Sequence, residues 1–519
     1  MDLIGTGLLL ISLAVTVAFF LYGFNIFYLL RLSRSYSKPK PYRKDKPTVA
    51  IHLPIFNERY VAERLLAACA GTAELYGKEK VHLSVLDDSD DETTSILEGL
   101  TEGYRARGFN FDVQHRDDRT GFKAGALNSA LSRAGEDFVV VFDSDFLPKP
   151  DFLDLATAYI TADDSLGVVQ FRWSYTNREY NWITKAVSIG MDAHFLIEQP
   201  ARSAGGLFLN FNGSAGMIRT RALKDSGGWQ ADTLAEDLDA SYRMQLRRYR
   251  IQFVSDDVPC EIPPTVASFK RQQGRWARGS LQVAKKSLPT LLKDKGVSLR
   301  QKVEATIHLT YYSVHPLMYV SFILAALAAT FNIDSIKISI PTANQIGQAT
   351  SGGFTGFSWV TPVWVLFAIS ILLCTAAAWI YYIVAMRRQH LSVARNWRSL
   401  LALGFLGYGI SVSNTIEAAK ALLLKRSGVF KRTPKYAVVG KEGSWKDKKY
   451  QVPLDYTSLL EALSVVLAAI AIGRAIAFSN FGIIIILGVY AFSYVFVFYT
   501  TISQSGKETV TTIPAIEAH

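Results

Sequence analysis

Between Leu3 and Leu30 the chain carries no charged side chain. Crossing the hydrocarbon core of a bilayer takes roughly 20 apolar residues of helix, so this stretch is long enough to span. A secretory leader has a basic start and an apolar run of about 7–15 residues; here the only early charge is Asp2 and the run is longer. Arg31, Arg34, Lys38, Lys40, Arg43, Lys44 and Lys46 follow, against the single acid Asp45. Basic residues collect on the cytoplasmic side of a span, which puts the N-terminus outside and the following domain in the cytoplasm.

The pattern recurs downstream. Residues 305–331 and 361–386 read as two spans, joined by an outside loop whose only charges are Asp334 and Lys337. Arg387, Arg388, Arg395 and Arg398 mark the return to the cytoplasm. Segment 400–424 is apolar but carries Asn414, Glu417 and Lys420, three polar groups on one helical face. Basic clusters at both of its ends, including Lys425, Arg426, Lys431, Arg432 and Lys435, favour a re-entrant or interfacial helix over a crossing. Residues 457–478 and 481–502 form a final hairpin, giving five expected crossings and an inside, unstructured tail. Segments 182–199 and 276–292 are amphipathic and either lie flat at the membrane surface or pack on the soluble domain.

The net charge of +11 flanks the apolar runs, which suits lipid headgroups and anionic substrates better than nucleic acid. Cys69, Cys260 and Cys374 are far apart and the histidines are scattered, which argues against a zinc or thiol enzyme.

From about 48 to 263 the chain reads as soluble. Residues 49–53, 83–86, 138–142 and 168–171 read as short buried strands, alternating with helical patterns such as 61–76. That order implies an α/β fold with a mostly parallel sheet. The run 138–142 ends in Asp143-Ser144-Asp145. Two carboxylates one residue apart suit a divalent cation with oxygen ligands, at the sheet edge where open α/β folds bind ligands; a solvated acidic turn is the alternative.

Asp87-Asp88 follows 83–86 at the same kind of edge, where carboxylates accept hydrogen bonds from a base and a ribose. Asp90 and Asp91 read better as a turn and helix cap. Arg119 and Lys123 flank a small-residue helix start that suits a diphosphate. Glu236-Asp237 opens a helix over 237–249; its acids cap the helix dipole, or Asp237 is a general base. In Gln272-Gln273-Gly274-Arg275-Trp276, which opens the second amphipathic segment, Arg275 suits a leaving diphosphate. Trp276 suits either a sugar ring or the membrane interface.

Taken in order, Asp87-Asp88, Asp143-Ser144-Asp145, Glu236-Asp237 and Gln272-Gln273-Gly274-Arg275-Trp276 resemble the D, DxD, ED and QxxRW set of processive family 2 glycosyltransferases. The chain is similar to cellulose synthases and, more closely, to cellulose-synthase-like mannan and glucan synthases. Pro54-Ile55-Phe56-Asn57-Glu58, Lys123-Ala124-Gly125-Ala126-Leu127, Gln170-Phe171-Arg172-Trp173 and Phe211-Asn212-Gly213-Ser214-Ala215-Gly216 match as well, and Phe430-Lys431-Arg432-Thr433-Pro434-Lys435 resembles a gating loop. The match covers about 48–450. Cellulose synthases usually carry Cys at the Asn212 position and Val-Thr at Arg432-Thr433, departures that pull toward the mannan-like branch.

The resemblance implies a cytosolic α/β GT-A domain with a Rossmann-like, mostly parallel sheet, plus an α-helical transmembrane domain with interfacial helices. The expected division is a first span at 1–31, the glycosyltransferase domain at 32–275, an interfacial segment at 276–303, spans at 304–386, an interfacial helix and gating loop at 387–456, spans at 457–502 and a tail at 503–519. Among the residues, Asp87 would contact the base and Asp88 the nucleotide or metal. Asp143 and Asp145 would hold Mg2+ or Mn2+, and Lys123 would lie by the diphosphate. Asp237, beside Glu236, would be the catalytic base. Gln272 and Arg275 would grip the diphosphate, and Trp276 would platform the acceptor. Asn212 and Gly213 would lie by the acceptor end, and Thr433 and Lys435 would reach the nucleotide on closure.

The expected activity is inverting, processive synthesis of a β-linked glucan or mannan from UDP-glucose or GDP-mannose, with translocation across the cell membrane. The expected partners are that donor, the growing polysaccharide and the bilayer, with a homo-oligomer left open and no nucleic acid. Addition of a single sugar to a lipid is the alternative, and an inactive transporter or scaffold a more distant one.

Overall fold

The computed structural model describes residues 3–42, 46–331, 360–424, 428, 430, 432–446 and 448–505. The loop with Asp334 and Lys337, the charged residues Arg43, Lys44, Asp45, Lys425, Arg426 and Lys431, and most of the expected tail lie outside the described residues.

A seven-stranded sheet organises the first half. Its strands are β1 (Val49–Ile55), β2 (Val81–Asp87), β3 (Asn110–His115), β4 (Phe138–Val141), β5 (Leu166–Tyr175), β6 (Gly216–Arg219) and β7 (Arg250–Cys260), in the order β3-β2-β1-β4-β6-β5-β7. The β1–β2, β2–β3, β1–β4 and β5–β7 pairs are parallel, and β6 runs antiparallel to both neighbours. Side chains of a strand alternate between faces. Val49, Ile51, Phe138 and Val140 therefore enter one core, and Ala50, Val139 and Val141 the other. Helices cover both faces, which explains why the central strands read as continuous apolar runs.

Four of these strands match the expected apolar runs, although β2 and β5 extend well beyond them. The other three have weaker patterns. β3 lies at an edge and alternates Phe111 and Val113 with polar residues, β6 is four residues long, and β7 carries Asp256 and Asp257 on its half-buried length.

A division between Arg275 and Trp276 falls inside a continuous 28-residue helix, Val266–Lys293. Its start is set ten residues earlier, where Thr265 Oγ1 accepts the Ser268 N–H at 3.1 Å.

Among the described residues, four helices are long and apolar enough to cross a membrane: Leu10–Ser35, Leu299–Thr330, Thr457–Ala477 and Gly482–Gln504. The chain is thus a membrane protein. A fifth long helix, Val360–Arg388, packs along the first. At Gly23 the two backbones approach so closely that a Cβ would stand 3.1 Å from Cys374 Cα, the close approach that small residues permit between membrane helices.

The expected helix at 400–424 is a bent pair, Val393–Gly409 and Ser411–Leu423, with 44° between them, a geometry of either a broken span or a re-entrant loop. Its polar face looks onto Val266–Lys293. The position of a Gly274 Cβ lies 3.3 Å from Glu417 Cγ, and Arg278 Nη1 lies 3.7 Å from Glu417 Oε2. The helix Trp182–Ala193 buries Ile183, Val187 and Ile189 against Met386, Leu403 and Leu406. It therefore bridges the sheet domain and the apolar helices.

Candidate active site

Parallel pairing of β1, β2 and β4 brings their carboxyl ends to one edge, with Ile55 opposite Asp87 and His52 opposite Val141. The residues just beyond those ends therefore share a rim. Because β6 runs the other way, with Gly216 opposite Val141, the residues that precede it reach the same rim. Asp143 N–H donates to Ser214 Oγ at 3.0 Å. The helix Glu236–Leu246 directs its N-terminus at this place.

An open cleft lies there. Asp88, Arg119, Lys123, Asp143, Arg275, Thr433 and Lys435, all singled out in the sequence, line it, and so do Phe56, Glu58 and Arg432.

Lys123 is the electrostatic hub. Its Nζ lies 2.7 Å from Asp143 Oδ1 and 3.4 Å from Glu236 Oε1, and it donates to Gly213 O at 3.2 Å. Burial alone would discharge this ammonium, but the charges of Asp143, Glu236 and Asp237 outweigh burial and hold its pKa above the ordinary value. Asp237 shifts the opposite way for a carboxyl. Burial, then the neighbouring Glu236 charge, push its pKa up to about 7 against the pull of Lys123, the Leu238 N–H and Arg275. Asp237 Oδ1 accepts that N–H at 2.8 Å. Gly213, with φ +79°, leaves room for the other oxygen, since a Cβ there would stand 2.6 Å from Asp237 Oδ2.

Asp145 is buried. Its Oδ2 faces Lys435 Nζ at 2.8 Å and accepts the Glu261 N–H at 3.2 Å, while Oδ1 is buried without a partner. An orphaned carboxylate oxygen beside Asp143 fits a divalent cation. Among the described residues no group of three or more His, Cys, Asp or Glu is arranged for a metal. With that oxygen free, Asp143 and Asp145 would be the carboxylate ligands of such a cation, the remainder coming from substrate phosphates and water, as is usual for Mg2+.

Some expected residues stand elsewhere. Asp87 is fully buried and does not line the cleft; Thr94 Oγ1, the Ser89 N–H and His115 Nδ1 engage its carboxylate at 2.7, 3.0 and 2.8 Å. The expected base contact through Asp87 is thereby corrected: it braces the turn, and Asp88 faces the cleft, gripped by Arg116 Nε and Nη2 at 2.7 and 2.6 Å. Gln272 and Trp276 are half-buried on Val266–Lys293 and are not among the cleft-lining residues. Asn212 Oδ1 accepts from Asn210 Nδ2 at 2.7 Å and meets His194 Nε2 at 3.0 Å, while its Nδ2 is buried without a partner.

Two cleft residues, Glu58 and Arg432, escape the spacing argument, and Arg119, read from the sequence as suited to a diphosphate, makes a contact that spacing does not show. Glu58 follows β1 at the same edge as the other acids, a position that could have revealed it. The guanidinium of Arg119 lies 3.3 Å from the centre of the Phe56 ring, a stack with no mark in the sequence beyond a basic loop. Arg432 stands out in the sequence only as a departure from the cellulose synthase pattern.

Residues 138–382 match the family model for glycosyl transferase family group 2. Glucomannan 4-beta-mannosyltransferase 2 of Arabidopsis thaliana is 34% identical over 262 residues, 50% of this chain and 49% of that protein. Probable glucomannan 4-beta-mannosyltransferase 4 of Oryza sativa subsp. japonica is 31% identical over 339 residues, 62% of this chain and 60% of that protein. The chain thus spans about half to three fifths of the length of these curated relatives. A solved mannosyltransferase, PcManGT from Pyrobaculum calidifontis in complex with GDP-Man and Mn2+, aligns with a TM-score of 0.50 at 21% identity over 72% of this chain and 99% of that one, which shows a shared GT-A fold. Fold, domain match and curated relatives agree: residues 138–382 carry the match to glycosyl transferase family group 2, and the chain is similar to glucomannan 4-beta-mannosyltransferases.

Proposed function

We propose that this chain is an inverting, processive hexosyltransferase that builds a β-linked mannan or glucan from GDP-mannose or UDP-glucose and passes it across the cell membrane, with its sheet domain in the cytoplasm. The observation that carries the reading is the convergence of Asp143, Glu236 and Asp237 on the one ammonium of Lys123, beside an open cleft lined by further cations. The roles follow from position. Asp237, with its raised pKa, takes the proton of the acceptor hydroxyl as that oxygen attacks the anomeric carbon and the diphosphate leaves. A single displacement of this kind turns an α-linked donor into a β-linked product. Arg275, Lys435 and Lys123 carry the positive charge that holds the diphosphate. Asp143 and Asp145 would hold Mg2+ or Mn2+, which when bound neutralises charge developing on the leaving group. Asp88 and Arg119 stand where a nucleoside would rest, and Asn212 and Gly213 border the acceptor end. By resemblance, Gln272 is assigned to the diphosphate and Trp276 to the acceptor.

The domain division expected from the sequence is retained with one change: the first boundary within 266–293 is dropped, and that helix couples the sheet domain to the spans. Membranes carrying the chain, incubated with a panel of labelled nucleotide sugars, should form a β-linked polymer from one of them, identified by linkage analysis. Formation of only mono-glycosylated lipid would end the polymerase reading. Donor turnover that survives Asp237→Asn would remove Asp237 as the base.

A further inference from the structure

We propose that Glu58 is a positioning residue that seats segment 432–438 on the cleft by pairing with Arg432, an inference that rests on the cleft being the nucleotide-sugar site. Glu58 Oε1 lies 2.9 Å from Arg432 Nη1, and both side chains are nearly buried. The guanidinium is boxed in. It lies 4.2 Å from the Tyr450 ring centre and 5.8 Å from that of Phe56, and the Tyr450 hydroxyl in turn donates to Asp91. The far end of the segment is tied down separately. Glu261 Oε1 accepts the Tyr436 and Val438 N–H groups at 3.1 and 3.3 Å, and Gly440 N–H donates to Thr176 O at 2.8 Å. Between these ties stand Thr433, whose hydroxyl is buried without a partner, and Lys435 on Asp145.

The two acid seats differ in kind. Asp145 is a candidate metal ligand, so its pair with Lys435 must give way when a cation loads. Glu58 follows β1 rather than β4, and its pair with Arg432 persists through donor binding. It therefore sets where Thr433 and Lys435 are presented. Residue 432 must be cationic for the same reason: a buried Glu58 facing an apolar residue there would be an unpaired charge.

Hydrogen exchange of segment 432–438, measured by mass spectrometry on the full chain in detergent without donor, tests this. Glu58→Gln and Arg432→Gln should each make the segment exchange about tenfold faster, as expected for a lost local closure. The double variant should add nothing, because both singles break one pair. Exchange in strand 49–55 reports whether the fold is intact. Where Glu58→Gln disturbs that strand, Arg432→Gln, which leaves β1 untouched, decides alone. Unchanged exchange in Arg432→Gln, or additive effects in the double variant, overturns the proposal. Loss of loop protection in a protein that turns over no nucleotide sugar would support the pairing and sink the proposed function; turnover with an unaffected loop would do the reverse.

Discussion

Lys123 Nζ stands 2.7 Å from Asp143 Oδ1, and the same ammonium reaches Glu236 Oε1 at 3.4 Å. One buried cation thus balances the acid that ends β4 and the acid pair that opens the helix Glu236–Leu246. Without it, three carboxylates would face one another with little solvent between them. Lys123→Met should lower kcat/KM for the donor by roughly 100- to 1,000-fold, the scale of losing one preorganised charge from a site. It should also move the acid limb of the pH profile upward, since Lys123 holds the Asp237 pKa down. A variant with near-normal turnover would show that the cation is only structural.

The pH dependence follows from Asp237. Burial and Glu236 raise its pKa to about 7, so the base form is lost as pH falls through that value, well above the usual carboxylate range of about 4. The kcat/KM for the donor should rise with pH up to about 7 and then level. Below that point each unit should cost about tenfold, as for one essential base. Glu58 is a second candidate, because burial raises its pKa to about 7 as well, against the opposing charges of Arg432 and Lys435. A profile of Glu58→Gln separates them: the limb stays where it is if Asp237 is the base and disappears if Glu58 is.

Gly213 is required by Asp237. Its φ of +79° lies in the left-handed region, and a Cβ would collide with Asp237 Oδ2 at 2.6 Å. Gly213→Ala should cost about 1–2 kcal/mol in stability from backbone strain. It should lower kcat far more than it weakens binding of the nucleoside diphosphate, because the clash falls on the base and not on the cations of the cleft. Calorimetric binding set beside turnover would check this; equal losses in both would count against the assignment.

These relationships were unequally visible in the sequence. Asp143 and Asp145 could be read because an apolar, β-branched strand stops abruptly at them, and Asp237 because acids gather at a helix start. Glu58 and Asp88 obey the same rule at the ends of β1 and β2. Asp87 obeys it too, yet turns inward to Thr94 and His115, since spacing fixes which edge a residue reaches and not which way its side chain settles. Arg432 and Glu58 are 374 positions apart, so only the folded chain could join them. β6 escaped because four residues, antiparallel to both neighbours, take their conformation from the sheet and not from local pattern.

Lys270 Nζ and Glu461 Oε1 lie 2.6 Å apart with almost no exposure on either side chain. The pair fastens Val266–Lys293, the helix that carries Arg275, to the apolar helix Thr457–Ala477. The only further carboxylate near Lys270 among the described residues is Asp455, at 3.8 Å and half exposed. Removing one partner of such a pair strands a charge in a low-dielectric setting, which costs about 3–5 kcal/mol, whereas replacing both by apolar groups of similar size is often neutral. Glu461→Gln should therefore lower the thermal midpoint of the protein in detergent substantially, and Lys270→Met with Glu461→Leu should restore most of it. The double variant should also retain donor turnover, because neither residue lines the cleft. If Glu461→Gln melts with the unmodified protein, the pair does not hold these helices together; if the double variant is stable but inactive, the charges position Arg275 as well as bind the helices.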